Sequence, residues 1–226
     1  MSPPSRRKGA RDPRALTRNP PRGTSKVVVF DVGGVLIRWD DRWVMDDAAR
    51  SLGVPPRRLH ELLHPYRPML QSGRIGIQGF WDLISRDLGR PVPREVRELW
   101  WRALEERARP RTEVIAWAEQ LRRQGLRTSI LSNTDPSHRR YFSRPWSRGF
   151  APRLVSYELG AVKPYPQAFR QAERRLGIDG RSICLLDDVR KNVLAARRAG
   201  WNAHLFTGVP GARRFLERLG WVEGRS

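Results

Sequence analysis

Asp31 follows the apolar run Val27-Val28-Val29-Phe30 and precedes the glycine pair Gly33-Gly34. An apolar run that ends in a carboxylate and a turn places that carboxylate at the carboxyl end of a strand, where open α/β sheets bind ligands. Asp31 is therefore expected to be an exposed reactive or metal-binding group. A second such run, Leu185-Leu186, ends in Asp187-Asp188, followed by Lys191 and Asn192. Adjacent carboxylates repel unless a cation compensates them, and oxygen-only ligands select Mg²⁺. A third run, Ile130-Leu131, ends in Ser132-Asn133-Thr134-Asp135, a hydroxyl and an amide that suit a phosphoryl oxygen. The same residues are also ordinary turn formers. Finally, Gly160-Ala161-Val162-Lys163-Pro164 sets a lysine just before a helix. The helix start explains the proline but not the lysine.

These groups need a scaffold that gathers strand ends at one edge. From Val27 onward, apolar β-branched runs alternate with helical patterns. Strands are expected at Lys26–Ile37, Arg127–Ser132, Arg153–Tyr157, Ser182–Leu186 and Ala203–Phe206. Helices are expected at Thr112–Gln124, Tyr165–Leu176 and Lys191–Ala199, ended by Gly125, Gly177 and Gly200. The alternation predicts an α/β fold, a Rossmann-like parallel sheet with helices on both faces. Residues 41–110 break the pattern with four helical segments: Trp43–Leu52, Arg57–Leu63, Gly79–Leu88 and Pro93–Ala108. An insert there would sit over the carboxyl edge of the sheet as a helical cap. The expected organisation is a catalytic core of residues 26–40 and 111–226 and a cap of residues 41–110. Residues 1–25, rich in proline and arginine and poor in apolar residues, are expected to be a disordered basic arm.

A chain of 226 residues can bury a sizeable core. Its single cysteine, Cys184, excludes a disulfide framework or a cysteine metal cluster, and between Ile183 and Leu185 it reads as a core residue. No apolar stretch approaches the ~20 residues of a membrane span, and the N-terminus lacks the apolar centre of a secretory signal. A cytoplasmic location and no membrane partner are expected. The formal net charge is +21, and only four of the 44 basic residues are lysines. Residues 1–25 hold seven basic residues against Asp12, a net +6, so +15 lies elsewhere. Basic surfaces attract nucleic acid or phosphorylated small molecules. Solvated arginine faces are the commoner cause of such a composition, which makes nucleic-acid binding through the arm the lesser reading.

Taken together, Phe30-Asp31-Val32-Gly33-Gly34-Val35-Leu36, Leu131-Ser132-Asn133, Lys163-Pro164 and Leu186-Asp187-Asp188 with Asn192 resemble the four motifs of the haloacid dehalogenase-like (HAD) hydrolase superfamily. The match is to the branch with a helical cap between motifs one and two, here with an Asp-x-Gly-Gly form of motif one. The resemblance implies a Mg²⁺-dependent hydrolase of small phosphorylated metabolites. In that reading Asp31 attacks phosphorus and forms an aspartyl-phosphate. Mg²⁺ would be held by the Asp31 carboxylate, the Gly33 carbonyl and Asp188, with Asp187 acting through water. Ser132 and Asn133 would hold the transferring phosphoryl group, and Lys163 would offset its charge and anchor Asp31.

One departure matters. Phosphatases of this superfamily usually carry a second Asp two positions after the nucleophile, as general acid and then base, and here that position is Gly33. An Asp at that site would be strained if the turn required positive φ. Asp40, Asp41 or a cap residue are the substitute acids to consider. The loss reopens the reaction class, because haloacid dehalogenases also use one motif-one Asp, attack carbon and need no proton on a departing halide. The Asp187-Asp188 pair favours Mg²⁺ and phosphate. A non-catalytic phosphate- or nucleic-acid-binding protein on the same fold is the reading from another class. His60-Glu61-Leu62-Leu63-His64 matches the zinc-protease pattern, but Pro65 follows and no third ligand stands at a familiar spacing. It reads as an amphipathic helix. The nine tryptophans, such as Trp81, Trp100 and Trp101, read as packing residues rather than a base-stacking platform.

Overall fold

The computed structural model describes residues 26–223, so the expected arm, residues 1–25, lies outside the described residues. The elements run β1 (Val27–Phe30), β2 (Ile37–Arg38), α1 (Arg42–Leu52), α2 (Pro56–Leu63), α3 (Arg67–Gln71), α4 (Ile77–Leu88), α5 (Arg94–Arg107) and β3 (Arg109–Pro110). They continue with α6 (Thr112–Arg123), β4 (Arg127–Ser132), β5 (Arg153–Val155), α7 (Ser156–Leu159) and α8 (Pro166–Leu176). The chain then forms β6 (Ile183–Asp187), α9 (Arg190–Arg198), β7 (Asn202–Leu205) and α10 (Val209–Arg218).

Five strands form a parallel sheet in the order β5-β4-β1-β6-β7. The side chains of β1 alternate between its faces, as a strand requires. Val28 and Phe30 pack with Trp117 and Leu121 of α6 and Leu216 of α10. Val27 and Val29 pack with Phe169 of α8 and Val193 of α9. Both faces are covered, so all four residues of β1 are fully buried. Removing such a side chain leaves a cavity, and Phe30→Ala would cost about 3–5 kcal/mol. Cys184 lies on β6 against the first cluster, as a small core residue.

Residues 42–107 form five helices around their own core of Leu52, Leu59, Leu63, Phe80, Trp81, Ile84 and Val96. The segments that join this insert to the sheet pair with each other: Ile37 opposes Pro110 and Arg38 opposes Arg109 in the antiparallel β2–β3 ribbon. The first strand is therefore shorter than its apolar run. It ends at Phe30, and Asp31 to Leu36 form a turn closed by Leu36 N donating to Val32 O at 2.9 Å. The expected strand through Tyr157 also stops early, at Val155. Ser156 Oγ accepts from Thr134 N and donates to Thr134 O, both at 2.9 Å, which draws the chain out of the ladder into α7. Among the described residues, no helix is long and apolar enough to cross a membrane.

Candidate active site

At the carboxyl ends of β1, β4 and β6 lies a cavity of about 450 Å³, closed on the insert side by α1, α3 and α5. Lys163, from the loop between α7 and α8, stands at its floor. Its Nζ lies 2.9 Å from Asp31 Oδ1 and 2.7 Å from Asp187 Oδ2, and donates to the Leu131 carbonyl at 2.7 Å. All three ammonium donors thus have acceptors. Burial works against the charged lysine, but Asp187 and Asp31 outweigh it and hold its pKa above the ordinary value.

Asp31 is only 9% exposed, not the open group that a strand end implies, because Lys163 and the insert cover it. Burial pushes its carboxyl up, Lys163 pulls it down, and Asp187 pushes it up again. Asp188 is likewise raised by burial and by Asp187. Asp31, Asp187 and Asp188 each bring a carboxylate oxygen within 4.8 Å of the others. One lysine against three carboxylates leaves the group short of positive charge. The donors are hard oxygens, so a Mg²⁺-type cation fits the residues present.

Asp187 is fully buried, and its oxygens accept from Lys163, from Val189 N at 2.8 Å and from Asn192 Nδ2 at 3.1 Å. Asp188, at the start of the loop to α9, is exposed toward the cavity. Ser132, at the end of β4, lines the same cavity. Asn133 behaves differently from a phosphoryl ligand. Its amide donates to Lys163 O at 2.7 Å and accepts from Lys163 N at 2.8 Å, so its side chain holds the lysine loop.

Gly33 and Gly34 both line the cavity. The left-handed φ of +74° falls on Gly34, and a Cβ there would stand 1.9 Å from Asp188 Oδ2. Only a glycine lets the turn pass so close to that carboxylate. Arg111 Nη1 donates to the Gly34 carbonyl at 2.6 Å and fixes the turn from the sheet side.

Trp39, Arg67, Trp100 and His138, which the sequence reading did not place in a site, line the cavity around Asp41 and Asp135. Trp39 Nε1 donates to Asp41 Oδ1 at 2.6 Å, and Arg67 Nη2 to Asp41 Oδ2 at 2.6 Å. The Arg67 guanidinium lies over the Trp100 ring, 5.3 Å from its centroid. Trp100 Nε1 donates to Asp135 Oδ2 at 3.3 Å, and His138 Nε2 lies 3.4 Å from Trp100 O. Which of Trp100 and Trp101 faces the cavity depends on how α5 docks on the core, and a dipeptide carries no signal of that. His60 and His64 are exposed on α2, and Glu61 pairs with Arg57 and Arg58, while Leu59, Leu62 and Leu63 are buried. That helix is amphipathic packing.

The model of the haloacid dehalogenase-like hydrolases matches residues 25–200. The chain belongs to the haloacid dehalogenase-like hydrolase family. A phosphatase of Mycobacterium tuberculosis is 28% identical to this HAD-like hydrolase over 191 residues, 79% of this chain and 85% of its own. A HAD-like family hydrolase of Porphyromonas gingivalis superposes with a TM-score of 0.70 at 25% identity, over 86% of this chain and 98% of that one. A HAD family enzyme of Bacteroides thetaiotaomicron, solved with magnesium and inorganic phosphate, superposes with a TM-score of 0.65. It is 22% identical, over 80% of this chain and 93% of that one, a likeness of fold.

Proposed function

We propose that this HAD-like hydrolase is a Mg²⁺-dependent phosphatase of small phosphorylated metabolites, acting through an aspartyl-phosphate on Asp31, with the helical insert as its cap. The observation that carries the reading is the cavity floor, where Lys163 bridges Asp31 and Asp187 beside the exposed Asp188. A family relative named as a phosphatase and a neighbour holding magnesium and phosphate support it.

Asp31, Asp188 and the Gly33 carbonyl would hold Mg²⁺, with Asp187 behind them; when bound, the ion offsets the repulsion between carboxylate and phosphate and orients the phosphoryl group. In the first displacement an Asp31 oxygen forms a bond to phosphorus while the bond to the leaving oxygen breaks. Lys163 opposes the effect of burial on Asp31 and aims its carboxylate, and offsets charge on the transferring group. Ser132 donates to a phosphoryl oxygen, and Asn133 keeps Lys163 in place. Water then attacks phosphorus, releasing phosphate and restoring Asp31. With Gly33 in place of an acid, the leaving oxygen takes its proton from solvent, which favours leaving groups that need little assistance, such as those of sugar 1-phosphates and acyl phosphates. The alternative, a dehalogenase attacking carbon without metal, leaves the charge of the Asp31, Asp187 and Asp188 carboxylates compensated by Lys163 alone.

Phosphate release from a panel of phosphorylated metabolites tests this. Turnover is expected with Mg²⁺, is lost in EDTA, and falls to background in Asp31→Asn, because an amide is a poor nucleophile. Full activity with excess chelator or in Asp31→Asn would falsify the mechanism. Halide release from 2-haloacids without metal would establish the dehalogenase, and salt-sensitive polyanion binding without any turnover would establish a binding protein.

A further inference from the structure

The charges on the insert-side wall of the cavity are already matched to each other. Asp41 accepts from Trp39 and Arg67, each at 2.6 Å, and Arg67 is stacked on Trp100. Arg67 is the single lysine or arginine that the insert contributes to the cavity lining. The side chains of Asp41 and Arg67 are 50% and 26% exposed, so both remain open to a bound group. Burial alone would raise the Asp41 carboxyl, but the Arg67 charge and the bonds from Arg67 and Trp39 outweigh it and hold it below the ordinary value. Two further carboxylates that line the cavity, Asp40 and Asp135, are likewise engaged. Asp40 pairs with Arg42 at 2.6 Å, and Asp135 accepts from Ser137 N at 2.9 Å and from Trp100.

We infer that the Asp41–Arg67 pair is the specificity device for the leaving group: it accepts a neutral, polyhydroxylated group and turns away one that carries its own carboxylate or phosphate. The inference rests on the phosphatase reading and names the substrate class within it. A hydroxyl both donates and accepts, so it can add to the paired Asp41 and Arg67 without separating them. The indole of Trp39, which lines the cavity, gives the apolar side of a sugar ring a surface to pack on. A second anion is treated differently. To bind Arg67 it must sit beside the Asp41 carboxylate, whose charge already compensates the guanidinium through a short charge-assisted bond to Nη2. Selection of this kind works by penalising the wrong ligand as much as by rewarding the right one. Lys191, a cavity cation for which no ion pair is found among the described residues, stands at the start of α9, three residues after Asp188. It belongs to the phosphoryl end of the cavity.

The test compares kcat/KM for glucose 1-phosphate, phosphoglycolate and fructose 1,6-bisphosphate, all with Mg²⁺. p-Nitrophenyl phosphate serves as a substrate that asks little of leaving-group recognition. The proteins are the wild type, Asp41→Asn, Asp41→Asn with Arg67→Gln, and Lys191→Gln. The wild type is expected to favour glucose 1-phosphate over both competitors, which carry a second anionic group, by about tenfold or more, the scale of one charged hydrogen bond. Asp41→Asn keeps an acceptor for Trp39 and releases the Arg67 charge, so the ratio should move toward phosphoglycolate by about tenfold. Adding Arg67→Gln should remove that shift, and Lys191→Gln should not reproduce it. A wild type that favours the substrates with a second anionic group, an unmoved ratio in an Asp41→Asn protein that still hydrolyses the aryl phosphate, or a ratio governed by Lys191 overturns the inference alone. Absence of phosphate release from every substrate, the aryl phosphate included, overturns the phosphatase reading and the inference with it.

Discussion

Gly33 and Gly34 are neighbours with opposite requirements. A Cβ at Gly34 collides with Asp188 at a left-handed φ, whereas one at Gly33 meets only Trp39 Cδ1, at 3.7 Å, and its φ is not left-handed. The strain expected for an Asp at position 33 is therefore absent, and the missing acid is a matter of chemistry rather than space. Nor do the nearby carboxylates replace it. The hydrogen bonds of Arg42 hold Asp40 below its ordinary value, and Asp41 is held down against burial by Arg67 and Trp39, so both are ionised at neutral pH and have no proton to give. Gly34→Ala should fold poorly or lose about hundredfold in kcat, since displacing a reacting group by ~1 Å costs that much. Gly33→Asp should fold, with a melting temperature near that of the wild type. A positioned acid contributes about 10²–10⁴-fold, so rates over a leaving-group series should depend steeply on leaving-group pKa in the wild type and less steeply in Gly33→Asp. A flat wild-type series with fast primary alkyl phosphates would mean that another residue already transfers the proton. Asp31, Ser132 and Asp187 were legible because each is the first polar side chain after an apolar run, Asp188 because it stands beside Asp187, and Lys163 because the helix start that follows does not account for it. Asn133 was legible as a residue but not as a role, because its partner, the Lys163 backbone, is thirty residues away.

The elements divide by the same logic. A parallel strand covered on both faces reads as a near-continuous apolar run, so β1 and β6 stand out, and glycines mark the ends of helices between the strands. What escaped notice is what lacks a period. Two-residue β2 and β3 show no alternation, α3 is a single turn or so beginning Arg67-Pro68, and α10 opens on Val209-Pro210-Gly211, which reads as a turn. The cost of missing α3 was larger than its length, because α3 carries Arg67 into the cavity. The other four insert helices were more legible because each has an apolar face, and those faces close on one another: Phe80 and Trp81 meet edge to face at 5.0 Å, and Trp100 packs on both. Their core is separate from the two that flank the sheet. Phe80→Ala should therefore cost about 3–5 kcal/mol and loosen the insert first. Limited proteolysis mapped by mass spectrometry should show initial cuts within residues 42–107 in Phe80→Ala, and early cuts in the sheet's own helices in Phe30→Ala. Initial cuts outside the insert in Phe80→Ala would show that its core is not an independent packing unit.

At the scale of the whole molecule the dominant fact is charge. The formal net charge is +21, of which residues 1–25 carry +6. A basic field draws phosphorylated molecules toward the protein and raises their association rate, an effect that salt screens over about 10 Å at 0.1 M. The field does not by itself identify nucleic acid as the ligand, because the cavity is of small-molecule size and closed by the insert. Among the described residues, those that line it run from Asp31 to Asn192, and the central strand begins at Val27. Removing residues 1–25 leaves all of these groups in place. Deletion should leave kcat on a small phosphorylated substrate within about twofold, because turnover depends on the preorganised site. It should weaken retention on heparin, and it should reduce but not abolish the fall of kcat/KM with salt, since +15 remains on the body. Measuring the full-length and truncated proteins side by side at two ionic strengths separates steering from catalysis. A large loss of kcat, or a truncated chain that no longer folds, would make residues 1–25 part of the site or of the core, and the long-range account of the charge would fail.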